Sequence, residues 1–155
     1  MSGQIEARLA ELGVTLPQAA APAANYLPFT RSSNQLFISG QIPMGPNGLE
    51  FQGKLGDGYG VEDGQQAARL CAINLLAQAK AALGDLDRIV RLVKIVGFVN
   101  CAPDFGDQPK VVNGASDFFV AALGEEKGPH ARSAVGAASL PFGVAVEVEA
   151  IFEIA

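Results

Sequence analysis

The chain has 155 residues, 49% of them hydrophobic, with eleven Lys and Arg against sixteen Asp and Glu for a formal net charge of −5. That length suits one globular domain, able to bury roughly 70% of the surface its unfolded form would expose, rather than two. The acidic balance and the lack of any basic cluster argue against a nucleic-acid partner, and a single histidine leaves too few ligands for a His-based metal site.

The opening MSGQIEARLAELG has neither a basic n-region nor an unbroken apolar core, so it does not read as a secretory signal. No apolar run is long enough to span a bilayer, and a cytoplasmic protein without a membrane contact is expected. Ile5, Leu9 and Leu12 recur at helical spacing and Gly13 and Pro17 stop the pattern, which predicts a short helix over about residues 3–13, packed as an appendage. The stretch LPQAAAPAA then reads as extended, because Pro17 and Pro22 fix φ and disfavour the helical well before them. Residues 1–24 are therefore set apart as an N-terminal helix and an Ala/Pro segment, with the main domain over 25–155.

Residues 35–42 (QLFISGQI) read as a strand and MGPNG as the turn after it, with room for a second strand before the next helix. From Glu62 to Leu83 the spacing becomes helical: Ala68, Cys71, Ala72, Leu75, Leu76, Ala79 and Leu83 form one apolar stripe, and Gly84 is the expected stop. Residues 89–99 predict a strand, 107–123 a second helix, and 131–138 and 144–154 two further strands joined by SLPFG. Cys71 and Cys101 have no metal or disulfide spacing and read as small buried hydrophobes. Neither a phosphate-binding glycine loop nor a Ser/His/Asp or Cys/His nucleophile signature is present.

In the last strand Val144, Val146, Val148, Ala150, Phe152 and Ile154 share one parity, the face expected under the helices, while Glu147, Glu149 and Glu153 share the other. Strand 89–99 is apolar on both parities, with Val93, Ile95 and Val99 on one and Leu92, Val96 and Phe98 on the other. A sheet covered by helices on one side only, with a second face part apolar and part acidic, points to a subunit interface with a polar pocket at its edge.

Tyr26 stands thirteen positions ahead of SGQIP (residues 39–43), ARS follows at 131–133, and LP, five residues and EVEA end at Ala150. In this order and spacing the chain resembles the reactive intermediate deaminase (Rid, or YjgF) family over about residues 25–154, in a longer subgroup with an added N-terminal helix. The resemblance implies an α+β, chorismate-mutase-like β-β-α-β-α-β-β fold, a homotrimer with a central barrel, and pockets between subunits. It also implies hydrolysis of reactive 2-imino or 2-enamino acids to 2-oxo acids and ammonia, with no metal or organic cofactor.

Carried over residue by residue, the resemblance makes Arg132 the carboxylate anchor, a task suited to a planar guanidinium. Glu147 is the residue that handles water, its pKa raised by a close Glu149, and Tyr26 closes the pocket. Gly40 and Ala134 match positions whose backbone faces the substrate, and a glycine inside a strand permits close approach. Asn113 reads as structural and His130 as a loop residue after Gly128-Pro129. The residue readings alone leave Arg132 open as a surface ion pair and Glu147 as a polar strand position. Ala134 and Asn25 depart from the cysteine and proline common at these places. Two other functions stay open: a non-catalytic trimer that binds small carboxylates, and an endoribonuclease, a label many relatives carry and the charge balance disfavours.

Overall fold

The structure is a computed structural model and describes residues 3–21 and 25–155. Pro22, and with it the end of the expected extended segment, lies outside the described residues. Among the described residues there are three α-helices: α1 (Gln4–Glu11), α2 (Val61–Leu83) and α3 (Gln108–Leu123). The strands are β1 (Phe29–Ser32), β2 (Gln35–Gln41), β3 (Met44–Gly45), β4 (Gly48–Leu49), β5 (Lys54–Leu55), β6 (Gly58–Tyr59), β7 (Ile89–Asn100), β8 (Ala131–Ala137) and β9 (Val146–Ile154). Five of them make one mixed sheet in the order β1-β2-β9-β7-β8, parallel only between β7 and β8. The parallel pair follows from the crossover through α3, since parallel neighbours need a long connection.

The expected α+β arrangement is present, with α2 and α3 over the sheet. The stripe Ala68, Cys71, Ala72, Leu75, Leu76, Ala79 and Leu83 of α2 is buried, and the helix ends at Gly84 with φ 76°, a conformation glycine adopts without strain. Val144, Val146, Val148, Ala150, Phe152 and Ile154 all lie in the core, as their parity requires.

Three expectations need correction. The second strand of the five-stranded sheet is not between residues 42 and 61, where only the short pairs β3-β4 and β5-β6 form: it is β1, upstream at 29–32, where the half-buried and exposed pattern of FTRS gave no alternation to read, held as a hairpin edge on β2. The turn expected at MGPNG is present, its Pro46-Asn47 closing the short hairpin β3-β4. Leu92 does not share a face with Val96 and Phe98: register shifts between Ile89 and Arg91 and between Leu92 and Lys94 break the alternation, so Ile89, Leu92 and Ile95 all enter the core. And α1 is not an appendage.

Ile5 and Leu9 of α1 belong to the same core as α2 and the sheet. The start of α1 is held by Asp87, whose carboxylate accepts from Gln4 N–H at 2.8 Å and Ile5 N–H at 3.1 Å. Two otherwise orphaned helix donors are thereby satisfied from a distant turn. Those two bonds also hold the Asp87 carboxyl below its usual range. Glu6 pairs with Lys80 of α2, and further along, the buried Gln78 amide donates to Ala20 O at 2.9 Å. The N-terminal segment is thus laid along α2 over Gln78, which lies off the expected stripe and is buried, as are Ile73, Asn74 and Ala77.

Candidate functional site

The site is built where β2 loses register. Ile38 pairs with Ala150 but Gln41 with Val148, so Ser39 and Gly40 carry one extra residue opposite Glu149. Bulges of this kind bend a strand and re-aim side chains next to clefts. Here Ser39 is fixed by its N–H to Pro28 O at 2.9 Å and its Oγ to Leu27 O at 2.8 Å.

Beside the bulge lies a cavity of about 300 Å³ whose lining includes Tyr26, Gly40, Gln41, Phe142 and Glu147, with Ala20, Ala21 and Met44 adding apolar wall. Three expected site residues therefore share one cavity: Tyr26, Gly40 and Glu147. Its back wall is α2, where Asn74 donates to Ile42 O and to Met44 O, each at 3.0 Å, one helical turn before Gln78 grips Ala20. These two buried amides carry the hairpin side and the N-terminal side of the wall, and nothing in a helical stripe marks them in advance.

Gly40 plays a part its strand position alone did not specify. A Cβ there would lie 2.9 Å from both Cδ and Oε2 of Glu147, so the close approach it permits is that of the Glu147 side chain itself. Glu147 is half-buried, and its pKa is raised first by burial and second by the Glu149 carboxylate on the same strand face. Glu149 lines a different hollow of about 360 Å³ on the open sheet face, with Thr30, Phe37, Lys94 and Ile151. Tyr26, 52% exposed, and Phe142, 67% exposed, stand at the mouth of the Glu147 cavity. Phe142 holds φ 59°, an uncommon left-handed conformation for an aromatic residue, with its carbonyl accepting from Gln52 Nε2 at 2.9 Å.

Arg132 and Ala134 lie elsewhere, on edge strand β8, two strands from Glu147. Arg132 pairs in register with the core residue Ile95 and turns toward α3, where its Nη1 donates to Ser116 Oγ and its Nη2 to Pro109 O, both at 3.1 Å. Ala134 is half-buried and packs against the core. Within one chain, then, the arginine and the glutamate are not brought together. Asn113 is half-buried on α3. His130 is more than a loop residue: its Nδ1 donates to Gly128 O at 2.7 Å and its Nε2 lies 2.9 Å from Ser116 Oγ. Among the described residues no three His, Cys, Asp or Glu side chains gather as a metal set.

The chain is similar to known proteins in sequence and in fold. Residues 6–153 match the family model described as "YjgF/chorismate_mutase-like, putative endoribonuclease". The protein TCP17 of Trypanosoma cruzi is 52% identical over 153 residues, 99% of this chain and 96% of its own. A crystal structure from Agrobacterium tumefaciens, 53% identical, superposes with a TM-score of 0.91 over 97% of this chain and 92% of that one. The structure of Escherichia coli TdcF with bound serine is 27% identical, with a TM-score of 0.64 over 89% of this chain and 94% of its own. The bulged β2, the glutamate strand β9 and the arginine strand β8 are thus placed on a shared scaffold, and the chain belongs to the YjgF/chorismate mutase-like family, that of the reactive intermediate deaminases.

Proposed function

We propose that the protein hydrolyses reactive 2-imino and 2-enamino acids, of the 2-aminoacrylate type, to 2-oxo acids and ammonia. The observation that carries this reading is the convergence of Tyr26, Gly40 and a Glu147 of raised pKa on one cavity with mixed polar and apolar walls. A carboxyl shifted toward neutrality is suited to take a proton from water and return it to a leaving nitrogen. In the 2-imino tautomer, water adds through oxygen to C2 while Glu147 accepts its proton. The resulting carbinolamine collapses to the C=O as the nitrogen, protonated in turn by Glu147, leaves as ammonia. Water and imine are consumed, and 2-oxo acid and ammonia are formed.

Arg132 supplies the carboxylate anchor. Two of its five N–H groups are held by Ser116 and Pro109, leaving three for a ligand. Its place on the far edge of the sheet, two strands from Glu147, supports a pocket completed across a seam between two copies of the chain. We assign that seam to a homotrimer in which the open sheet faces, bearing Phe37, Val96, Phe98, Val135 and Ile151, close into a central barrel. The test is 2-oxo acid formation from freshly generated 2-iminobutanoate. Glu147→Gln is expected to lower kcat by roughly 10²–10⁴-fold, the usual worth of a general acid–base. Arg132→Ala is expected to raise KM at least roughly tenfold, the worth of a charge-assisted hydrogen bond.

A second reading is favoured by the serine in the TdcF structure: a trimer that binds small carboxylates without turning them over. It requires thermal stabilisation by 2-oxo acids with no acceleration of imine hydrolysis. The endoribonuclease in the family description would need a basic surface, against which the net charge of −5 stands.

A further inference from the structure

The guanidinium of Arg132 is the end of a directed chain of hydrogen bonds. A carbonyl only accepts, so the 2.7 Å contact of His130 Nδ1 with Gly128 O puts the ring hydrogen of neutral His130 on Nδ1 and leaves Nε2 as a lone pair. Ser116 Oγ, 2.9 Å from that lone pair, donates its single hydrogen there. Its own lone pairs are then turned outward, and one of them accepts from Arg132 Nη1 at 3.1 Å. With His130 in its neutral form, every donor and acceptor in the series Gly128, His130, Ser116, Arg132 has one assignment.

The base of the series cannot shift easily. Gly128 is buried against the end of α3, where its N–H donates to Gly124 O at 2.8 Å and a Cβ would lie 2.7 Å from Val120 Cα. Edge-on contact with Phe119, centroids 6.3 Å apart, holds the imidazole ring. The second Arg132 anchor, Pro109 O, sits at the start of α3, two turns before Ser116 on the same helix. The guanidinium is thus tied at two points of one rigid helix, and its plane is set before any ligand arrives. Pre-organisation of this sort reduces the entropy lost when a bidentate pair forms.

We infer that Ser116 and His130 are positioning residues for the carboxylate anchor, with His130 fixing the hydroxyl of Ser116 as an acceptor and Ser116 fixing the plane of Arg132. This rests on the reading of Arg132 as the carboxylate-binding residue. It assigns to Ser116, which lies in none of the motifs, and to His130, which directly precedes ARS, control of affinity for the substrate carboxylate rather than of the chemical step.

The experiment compares Ser116→Ala, Ser116→Thr and His130→Phe with the wild type, by steady-state kinetics on 2-iminobutanoate, calorimetric binding of 2-oxobutanoate, and thermal unfolding. Ser116→Ala is expected to raise KM and the Kd for 2-oxobutanoate roughly tenfold, the worth of a hydrogen bond to a charged group, with kcat within about twofold. Ser116→Thr, which keeps the hydroxyl, should restore both. His130→Phe keeps the ring packing but releases the hydroxyl, and a weaker rise of roughly threefold is expected. KM and Kd unchanged in Ser116→Ala would overturn the inference. So would a loss of kcat and melting temperature in all three variants that Ser116→Thr does not rescue, because that marks a structural role only. If the wild type binds 2-oxobutanoate but turns over no imine, the deaminase reading fails, while the Kd comparison decides the positioning role by itself. A wild type that neither binds nor turns over would overturn both.

Discussion

Gly40 and Glu147 form a pair in which one residue's lack of a side chain sets the other's position. Gly40→Ala would drive a methyl group into the glutamate carboxyl at 2.9 Å. The carboxyl must swing away, so kcat should fall roughly tenfold, within the range a displacement near 1 Å produces, while the fold persists by circular dichroism. The raised pKa of Glu147 also has a stability consequence. A carboxyl that binds its proton more tightly folded than unfolded contributes stability below its unfolded pKa and loses that contribution as pH rises through the folded value. Glu147→Gln should therefore be the more stable protein at pH 7 and the less active one, and its advantage in denaturant unfolding should shrink as pH falls toward that of the free carboxyl. The motifs marked Tyr26, Gly40 and Glu147 in the sequence because each is a local choice of residue type. They could not mark Ser116 or the new role of His130, because that link joins a helix to the residue just before β8, 14 positions on, and depends on how α3 meets β8.

At the scale of elements, α2 shows where pattern reading succeeds and stops. Its apolar stripe was legible from periodicity, but the burial of Asn74 and Gln78 depends on segments far off in sequence, the β3-β4 side and residue 20. The faces of β7 were misread at Leu92 for a similar reason: alternation assumes a strict period of two, and two register shifts interrupt it. The N-terminal helix is part of the core through Ile5 and Leu9, and its cap is Asp87. Asp87→Ala should cost about 1 kcal/mol, as loss of an N-cap does, read as a lower midpoint in urea. Because the two amides lower the Asp87 pKa, its contribution is present above the unfolded carboxyl pKa and is lost as pH falls through the folded value. The mutant and wild type should converge in acid. The turn holding Phe142 at φ 59° keeps an exposed ring over the cavity mouth. Phe142→Gly should leave stability equal or slightly raised while weakening substrate affinity, measurable as KM against melting temperature.

For the molecule as a whole, the sheet has one covered face and one open face, and the second was expected from the mixed parities of two strands. The open face combines Phe37, Val96 and Ile151 with Lys94 and Glu149, a composition suited to an interface lined with polar hollows. On the proposed trimer, Phe37→Glu should convert a particle of three times the chain mass into a monomer in light scattering and abolish activity with it, since within one chain Arg132 and Glu147 lie two strands apart. The most direct measurement is the rate of 2-oxo acid formation from freshly generated 2-aminoacrylate and 2-iminobutanoate, in the wild type, Arg132→Ala and Glu147→Gln. Acceleration by the wild type that falls in both variants, through kcat in Glu147→Gln and through KM in Arg132→Ala, with the assembly intact, is the expected result. A folded assembly that leaves the uncatalysed rate unchanged, or variants as active as the wild type, would contradict it.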